Sequence, residues 1–438
     1  MDEREQPDKA RVRPSGRRRI ARGALYVVFL AVLLELTAFA GFWIVDGRTF
    51  SYGRLSEERR RVAEGEIVGA VDANAQGTLL DMAIHPYVGY VTTTDADAQI
   101  RKMRGYGVNR HGFLDPNPTI RKRDSDRVLI GIFGGSVADA LSFRAADVLV
   151  RKLEGSPRFR GRRIQLVRMA MGGYKQPQQL MVLTWLLALG GELDYAVNLD
   201  GFNEVALSSH NFYEGVYPYF PRQWASLVNA APDRERQRRI GKVVHLKDER
   251  RRAANSGTGS ATPWSVAMQL IWRLQDRARL REIATASESL ESYRVPDLPF
   301  PARGPGVDDF TLNSLATPMA ELWRRCSLAM HQICEDHGIR YLHLLQPNQY
   351  VPNSKTMDDE ERRIAYNPEL AHKLVVEVGY PALLRETRAM KGAGVAFHDL
   401  RMIFKDVSEA TYEDQFCHLN QRGNELLARE VAAAILER

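Results

Sequence analysis

VLIGIFGGSVADAL, residues 128–141, joins a continuous apolar run to a helix-forming stretch through a Gly-Gly-Ser turn. An apolar run without polar alternation is typical of a strand buried on both faces of a parallel sheet. Later apolar runs occupy residues 164–171, 195–199, 340–345 and 395–404, the first three of them preceded by helical stretches, and the chain ends in a helical stretch. This alternation predicts an α/β fold whose parallel sheet has helices on both faces.

The composition fits a large globular chain and does not indicate nucleic-acid binding. The chain has 438 residues, 26% of them charged, and a formal net charge of +7. Basic residues cluster at positions 11–22 and 234–252, without interleaved aromatic residues or a nucleic-acid-binding motif. We therefore expect no nucleic-acid partner. We interpret the first cluster as a membrane-topology signal and the second as a solvated helix face or linker.

The N-terminal region predicts a transmembrane signal anchor. Residues 24–45 read ALYVVFLAVLLELTAFAGFWIV, long enough for one crossing of a bilayer core, and carry one charge, Glu35. Because the basic residues precede this run, residues 1–23 should form a cytoplasmic tail, and residues from about 50 onward should face the periplasm or exterior of a single-pass inner-membrane protein. Ala-Phe-Ala at 38–40 also fits a cleavage site, but the length of the run favours an uncleaved anchor.

The remaining chain divides into an extension, a core and an insertion. Residues 46–125, with a helical stretch at 55–66, are predicted to be an N-terminal extension packed on the core. Residues 126–438 carry the strand–helix alternation, which a helical insertion interrupts at about 208–310. The aromatic residues of 212–224 are suited to hold a sugar or a lipid, or to pack the insertion.

The three cysteines do not form a disulfide framework. Cys326 and Cys334 lie in one predicted helix, which separates their Cα atoms by roughly 12 Å, and a disulfide needs less than about 7 Å. Cys417 adjoins a histidine but belongs to no zinc-ligand spacing. We expect neither a metal site nor a cofactor.

Four residues with useful chemistry follow predicted strands or precede a helix. Ser136 stands at a helix N-terminus, where backbone N–H groups favour a developing anion. Gly173 follows the second strand, and Asn203, with an amide donor, follows the third. His418 precedes the last helix, with Asp414 close before it, and a serine nucleophile needs such a base and orienting acid. Alone, each fits a cap, a turn or a structural histidine; the joint order is more specific.

In this order the four residues resemble the four sequence blocks of the SGNH (GDSL-like) hydrolase family. The segments HPYVGYV and NRHGF before the serine, and GGYKQPQQL, NLDGFNEV and LLQPNQYVP after it, resemble a bacterial membrane-anchored subgroup. The resemblance covers about residues 85–435. It implies a flavodoxin-like three-layer α/β/α sandwich. It also implies that Ser136 is the nucleophile, that His418 is the base, and that Ser136, Gly173 and Asn203 form the oxyanion hole.

Two positions depart from the family pattern. Gly135 stands where the family has an aspartate before the serine, and Gln415 stands where the family has an acid three residues before the histidine. We therefore predict Asp414 as the acid that orients His418. Glu413 and a backbone carbonyl are the alternatives.

The predicted function is hydrolysis of an ester, such as an O-acetyl group on an envelope glycan, and an acylated glycan or a lipid is the expected substrate class. Tyr174, Gln346 and Gln349 follow strands at the same edge of the sheet, where they line the substrate cleft or order loops. The alternatives are acyl transfer onto an exported polysaccharide, with a sugar hydroxyl replacing water, and a non-catalytic binding or assembly module of an envelope export complex.

Overall fold

The structure, a computed structural model, describes residues 16–63, 82–93, 97–116, 121, 124, 126–228, 234–255, 265–293, 299–307, 310–311 and 314–437. The described strands are β1 Met82–His85, β2 Gly89–Thr92, β3 Arg127–Gly134, β4 Arg163–Arg168, β5 Tyr195–Asp200, β6 Arg340–Leu345 and β7 Ala396–Asp399. The described helices are α1 Gly16–Asp46, α2 Tyr52–Ala63, α3 Asp97–Arg104, α4 Ser136–Arg144, α5 Ala146–Glu154, α6 Gln178–Ala188, α7 Phe202–Tyr213, α8 Trp224–Val228, α9 Arg234–Asn255, α10 Val266–Glu291, α11 Phe300–Arg303, α12 Ala316–Asp336, α13 Asp359–Ala365, α14 Ala371–Gly392 and α15 Gln421–Leu436.

Five parallel strands form the central sheet in the order β4-β3-β5-β6-β7. Numbered within the sheet, this order is 2-1-3-4-5, that of flavodoxin-like doubly wound proteins. The chain moves from β3 to β4 in one direction and then to β5 on the other side of β3, so right-handed crossovers place helices on both faces. Accordingly α4, α5 and α15 pack together, and α6, α7, α12 and α14 form a second group. The mixed α/β fold with a parallel sheet is confirmed.

The central strands are apolar because helices cover both of their faces. Ile130, Ile132 and Phe133 of β3 are fully buried. The apolar run at 395–404 extends beyond β7, which ends at Asp399. Phe404, at the end of this run, is also fully buried but belongs to a turn region. An apolar run therefore marks burial, and only its length and neighbours separate a strand from a packed turn.

The chain divides into two compact units. One compact unit comprises Met1–Ala75 with Asp233–Val295, and the other comprises Gln76–Pro232 with Pro296–Arg438. The second unit contains the central sheet and is here called the α/β unit, and the flanks of the predicted insertion belong to it. Tyr217 and Phe310 have ring centroids 5.8 Å apart, and the Trp224 indole donates to the Pro301 carbonyl at 2.8 Å. These contacts favour the packing role of the aromatic patch.

The other unit, here called the helical unit, contains α1, α2, α9 and α10. Residues Arg22–Asp46 are long and apolar enough to cross a membrane. A buried ion pair joins Arg250 of α9 to Asp276 of α10 at 2.7 Å. The basic positions 11–15 lie outside the described residues, so the structure adds nothing to the topology signal.

Candidate active site

Ser136, His418 and Asp414 form a hydrogen-bonded triad, here called the accessible triad. Ser136 is the first residue of α4, directly after β3, and its Oγ lies 2.8 Å from His418 Nε2. The other ring nitrogen, Nδ1, bonds to Asp414 Oδ2. A carboxylate on Nδ1 favours the proton there, which leaves Nε2 free to accept the Ser136 hydroxyl. Such a triad can activate a serine for attack on an acyl carbon.

Asp414 is held by its own loop. Its Oδ1 accepts the backbone N–H groups of Phe416 at 2.9 Å, Cys417 at 3.3 Å and His418 at 3.2 Å. Burial opposes ionisation of this carboxyl, but the hydrogen bond and charge of His418 and the backbone donors outweigh it, so the pKa of Asp414 lies below its ordinary value. The group is therefore an anion that orients His418.

The alternative acid, Glu413, is paired elsewhere. Its carboxylate lies 2.6 Å from Arg144, while its backbone N–H donates to the His418 carbonyl at 3.0 Å. Gln415, the next residue after Asp414, places its side chain 3.4 Å from the Asn367 amide. Of these side chains, Asp414 is the one that bonds to His418 Nδ1, and the loop folds its backbone N–H groups onto that carboxylate.

Asn203 and Gly173 lie beside the turn that carries Ser136. The Asn203 amide donates to the Tyr174 carbonyl at 2.8 Å, which leaves a second N–H on the same nitrogen. Gly173 has φ +83°, and a Cβ there would lie 2.8 Å from the Tyr90 hydroxyl oxygen. The N–H of Ser136, in the first turn of a helix, has no acceptor within that helix. These groups are donors suited to an oxyanion.

Gly135 stands where there is no room for a side chain. A Cβ at this position would lie 2.2 Å from Asn203 Nδ2 and 3.2 Å from the Tyr174 carbonyl oxygen. The hydrogen bond to Tyr174 holds the Asn203 amide in that space. Any side chain at position 135 would therefore displace the predicted oxyanion donor.

The three predicted cleft residues are buried. Tyr174, Gln346 and Gln349 are only 0%, 3% and 5% exposed, which leaves little surface for a ligand. The Tyr174 hydroxyl donates to the Tyr90 carbonyl at 2.5 Å, and Gln349 Nε2 donates to the Asp414 carbonyl at 2.9 Å. Their burial and these contacts favour loop order, the alternative that the sequence left open.

The segment after β6 supports the Asp414 loop, a specific contact that the sequence did not predict. Besides Gln349, the Tyr350 hydroxyl donates to the Gln415 carbonyl at 2.9 Å, and the Asn348 amide lies 3.5 Å from the Phe416 carbonyl. Three consecutive carbonyls of the Asp414 loop are therefore held by one segment. Polar residues directly after a buried strand were the available signal.

A second serine, histidine and aspartate, here called the buried triad, lies in the core. Asp200 Oδ1 is 2.8 Å from His343 Nε2, and His343 Nδ1 is 2.7 Å from Ser327 Oγ. The Trp323 indole donates to the same carboxylate oxygen at 2.7 Å. Ser327 and His343 are fully buried. This set orders the core and has no access for a substrate.

Two further charged residues are buried near Asp200. Glu204 accepts the backbone N–H groups of Gly201 at 2.8 Å and Gln176 at 3.0 Å. Burial, with the nearby charge of Asp200, raises the pKa of Glu204 to about 8. Burial lowers the pKa of Lys175 to about 7, and its amine donates to the Pro218 carbonyl at 2.5 Å. These residues order the turns that carry Asn203 and Tyr174.

Among the described residues, no cluster of three or more histidines, cysteines, aspartates or glutamates is arranged to hold a metal ion. The three cysteines are buried and free, in agreement with the spacing argument for Cys326 and Cys334. Comparison with protein-family models and with curated proteins found no match for this chain. The site is therefore assigned from its own geometry, as a Ser-His-Asp triad at a helix N-terminus.

Proposed function

We propose that the chain is a serine ester hydrolase of the SGNH type. The observation that carries the proposal is the chain of hydrogen bonds from Ser136 through His418 to Asp414. The 2-1-3-4-5 strand order and the sequence order of Ser136, Gly173, Asn203 and His418 support the family assignment. Ser136 and His418 are partly exposed, so the triad is open to a substrate, as such chemistry requires.

In the proposed reaction, Ser136 Oγ attacks the acyl carbon of the ester while its proton passes to His418 Nε2. His418 returns that proton to the leaving alcohol oxygen as the C–O bond breaks, and the acyl group stays on Ser136. Water then attacks the acyl carbon, giving a proton to Nε2, and Ser136 recovers a proton as the acid leaves. Asp414 stays ionised and stabilises the imidazolium in both steps.

The proposed oxyanion donors are the N–H groups of Ser136 and Gly173 and the free amide hydrogen of Asn203. They meet the negative charge that develops on the ester carbonyl oxygen. Loss of one such donor typically lowers kcat about 10²–10³-fold. The helix dipole of α4 adds a favourable field at its first residue.

We also propose that α1 anchors the protein in a bacterial inner membrane with the α/β unit on the periplasmic side. The support is the apolar length of Arg22–Asp46 and the basic residues before it. Positive residues flanking a span favour the cytoplasmic side. Esters on envelope glycans or lipids are the substrates that this location makes available.

The test compares full-length wild type, Ser136→Ala and Ser327→Ala in detergent, with p-nitrophenyl acetate as substrate. We expect wild type and Ser327→Ala to hydrolyse the substrate and Ser136→Ala to lose this activity. The reason is that Ser136 is accessible to the substrate, whereas Ser327 is buried. A serine-reactive phosphonate, followed by mass spectrometry, should mark Ser136. Unchanged hydrolysis by Ser136→Ala would refute the proposed nucleophile.

The two alternative functions give different results in the same assays. An acyltransferase would move the acetyl group from the donor to an oligosaccharide acceptor, whereas a hydrolase releases free acetate. A non-catalytic module would show neither hydrolysis nor phosphonate labelling of Ser136 in folded wild type.

A further inference from the structure

Glu35, near the middle of the apolar segment of α1, contacts the N-terminus of α10. Its carboxylate accepts the N–H groups of Val266 at 2.6 Å and Ala267 at 3.3 Å, and it also bonds to the Ser265 hydroxyl. An anion at a helix N-terminus satisfies unpaired N–H groups and interacts favourably with the helix dipole. An ionisable residue within a membrane span needs such a partner.

From this contact, α10 runs beside the second half of α1 in the same direction. Further along, Gly41 lies against Leu270. A Cβ added at Gly41 would be 2.5 Å from the leucine side chain. At the end of α1, Asp46 pairs with Arg273 at 2.9 Å and with Arg277 at 3.0 Å. The residue numbers in contact therefore increase along both helices, as they do where two helices are parallel.

The uncharged stretch of α1 lies beside the uncharged stretch of α10. Residues 36–45 of α1 and residues 265–272 of α10 contain no Asp, Glu, Lys or Arg. The first charged residues after them, Asp46 and Arg273, pair with each other. The rise from Glu35 to Asp46 is about 16 Å at 1.5 Å per residue, which is half of a bilayer core of about 30 Å.

The outward face of this part of α10 is apolar. Met268, Ile271 and Leu274, spaced one turn apart, are 46%, 47% and 49% exposed. By contrast, Gln269 is buried and accepts a hydrogen bond from Arg59 of α2 at 3.0 Å. The polar side chain of Gln269 thus faces α2, and the large apolar side chains of α10 face outward. On α1, exposed apolar residues continue this surface, among them Leu36, Phe39 and Trp43.

The geometry points to a re-entrant membrane helix: residues 265–272 lie in the half of the bilayer that holds the second half of α1, and lipid acyl chains cover Met268 and Ile271. The inference rests on the membrane insertion of α1 proposed above. Glu35 caps this helix at the depth where water is absent. Asp46 and Arg273 mark the water boundary for both helices.

The test places single cysteines in the full-length protein in membrane vesicles opened by freeze–thaw, so that both faces are reached. The sites are Ile271→Cys on the apolar face of α10, Ala278→Cys farther along α10, and Leu30→Cys in the first half of α1. Ala278 is exposed and lies beyond Arg273, so it is the matched control. Wild type gives the background, because its three cysteines are buried.

We expect a membrane-impermeant maleimide to label Ala278→Cys in vesicles but to label Ile271→Cys and Leu30→Cys only after detergent is added. Labelling of Ile271→Cys as readily as Ala278→Cys, with Leu30→Cys still protected, would overturn the re-entrant helix and leave the anchor intact. Labelling of Leu30→Cys in vesicles would instead show that α1 is not inserted, and both proposals would fail.

Discussion

The accessible triad and the buried triad of the α/β unit contain the same residue types at nearly the same distances. Histidine and serine are 2.8 Å apart in Ser136–His418–Asp414 and 2.7 Å apart in Ser327–His343–Asp200. The two histidines bond to their aspartates through different ring nitrogens. Asp414 bonds to Nδ1 of His418, whereas Asp200 bonds to Nε2 of His343. The order of hydrogen bonds alone therefore does not distinguish a candidate active site from a core network.

Surroundings separate the two triads. Ser136 begins a helix beside the Asn203 amide, so an oxyanion there would meet donors, and its hydroxyl is reachable from solvent. Ser327 lies within α12, fully buried, with the Tyr341 hydroxyl 3.3 Å away. Access and prearranged donors are what the proposed chemistry needs beyond the triad itself.

The largest expected difference comes from replacing each histidine. His418→Ala should lower kcat by about 10⁶-fold, as loss of the base does in a serine protease, with little change in stability because the ring is part-exposed. His343→Ala should keep the activity of the folded fraction but lower the free energy of unfolding by about 3–5 kcal/mol, since it removes the buried ring that bonds to both Asp200 and Ser327. Ester hydrolysis and urea unfolding of both variants measure the two effects.

A milder variant, Ser327→Ala, allows the same comparison if His343→Ala does not fold. Ser327→Ala removes one buried hydrogen-bond partner and should cost about 1–3 kcal/mol. If either buried-triad variant folded normally yet lost hydrolysis, the buried triad would not be purely structural.

The next largest effect separates the neighbouring acids. Asp414→Asn should lower kcat by about 10⁴-fold, because an amide no longer fixes the tautomer that leaves Nε2 as acceptor. Glu413→Gln is the matched control, since this carboxylate pairs with Arg144 rather than with His418. Steady-state hydrolysis rates of both variants show which of the two carboxylates supports His418. An equal loss in the two variants would mean that the loop, and not the Asp414 carboxylate, supports His418.

A smaller effect tests the oxyanion side of the accessible triad. Gly135→Ala would place a methyl group against Asn203 Nδ2 and should lower kcat by about 10²–10³-fold by displacing one donor. Gly172→Ala is the control, because a Cβ there meets nothing within 4 Å. The rate of phosphonate labelling of Ser136 should fall with kcat in Gly135→Ala only. Full activity in Gly135→Ala would remove Asn203 from the proposed oxyanion hole.

The sequence predicted what depends on local pattern. The apolar runs at 128–133 and 340–345 lie within β3 and β6 because buried strands need continuous apolar residues. The positions of Ser136 and His418 before helices also follow from local signals. The α/β class and the residues of the accessible triad were therefore within reach of sequence reasoning.

Long-range contacts explain what the sequence did not predict. The exposure of Gln346 and Gln349 depends on the Asp414 loop, which is distant in sequence and packs over them. The grouping of residues 1–75 with 233–295 depends on contacts between separated helices. His343, within an apolar strand, gave no sign of a partner in Ser327, because that contact joins β6 to α12.

The smallest expected effect is a pH dependence that only the accessible triad should show. The folded state lowers the pKa of Asp414 below the unfolded value near 3.8, so its contribution to stability is complete above that value and is lost as pH falls through the folded pKa. Asp414→Asn should therefore be less stable than wild type at about pH 6, and the difference should shrink towards about pH 3. Ser327→Ala should show a stability loss that does not change over this range, since no ionisable group is removed. Urea unfolding at several pH values measures both differences, and a constant difference for Asp414→Asn would mean that its carboxylate gains nothing from the folded loop.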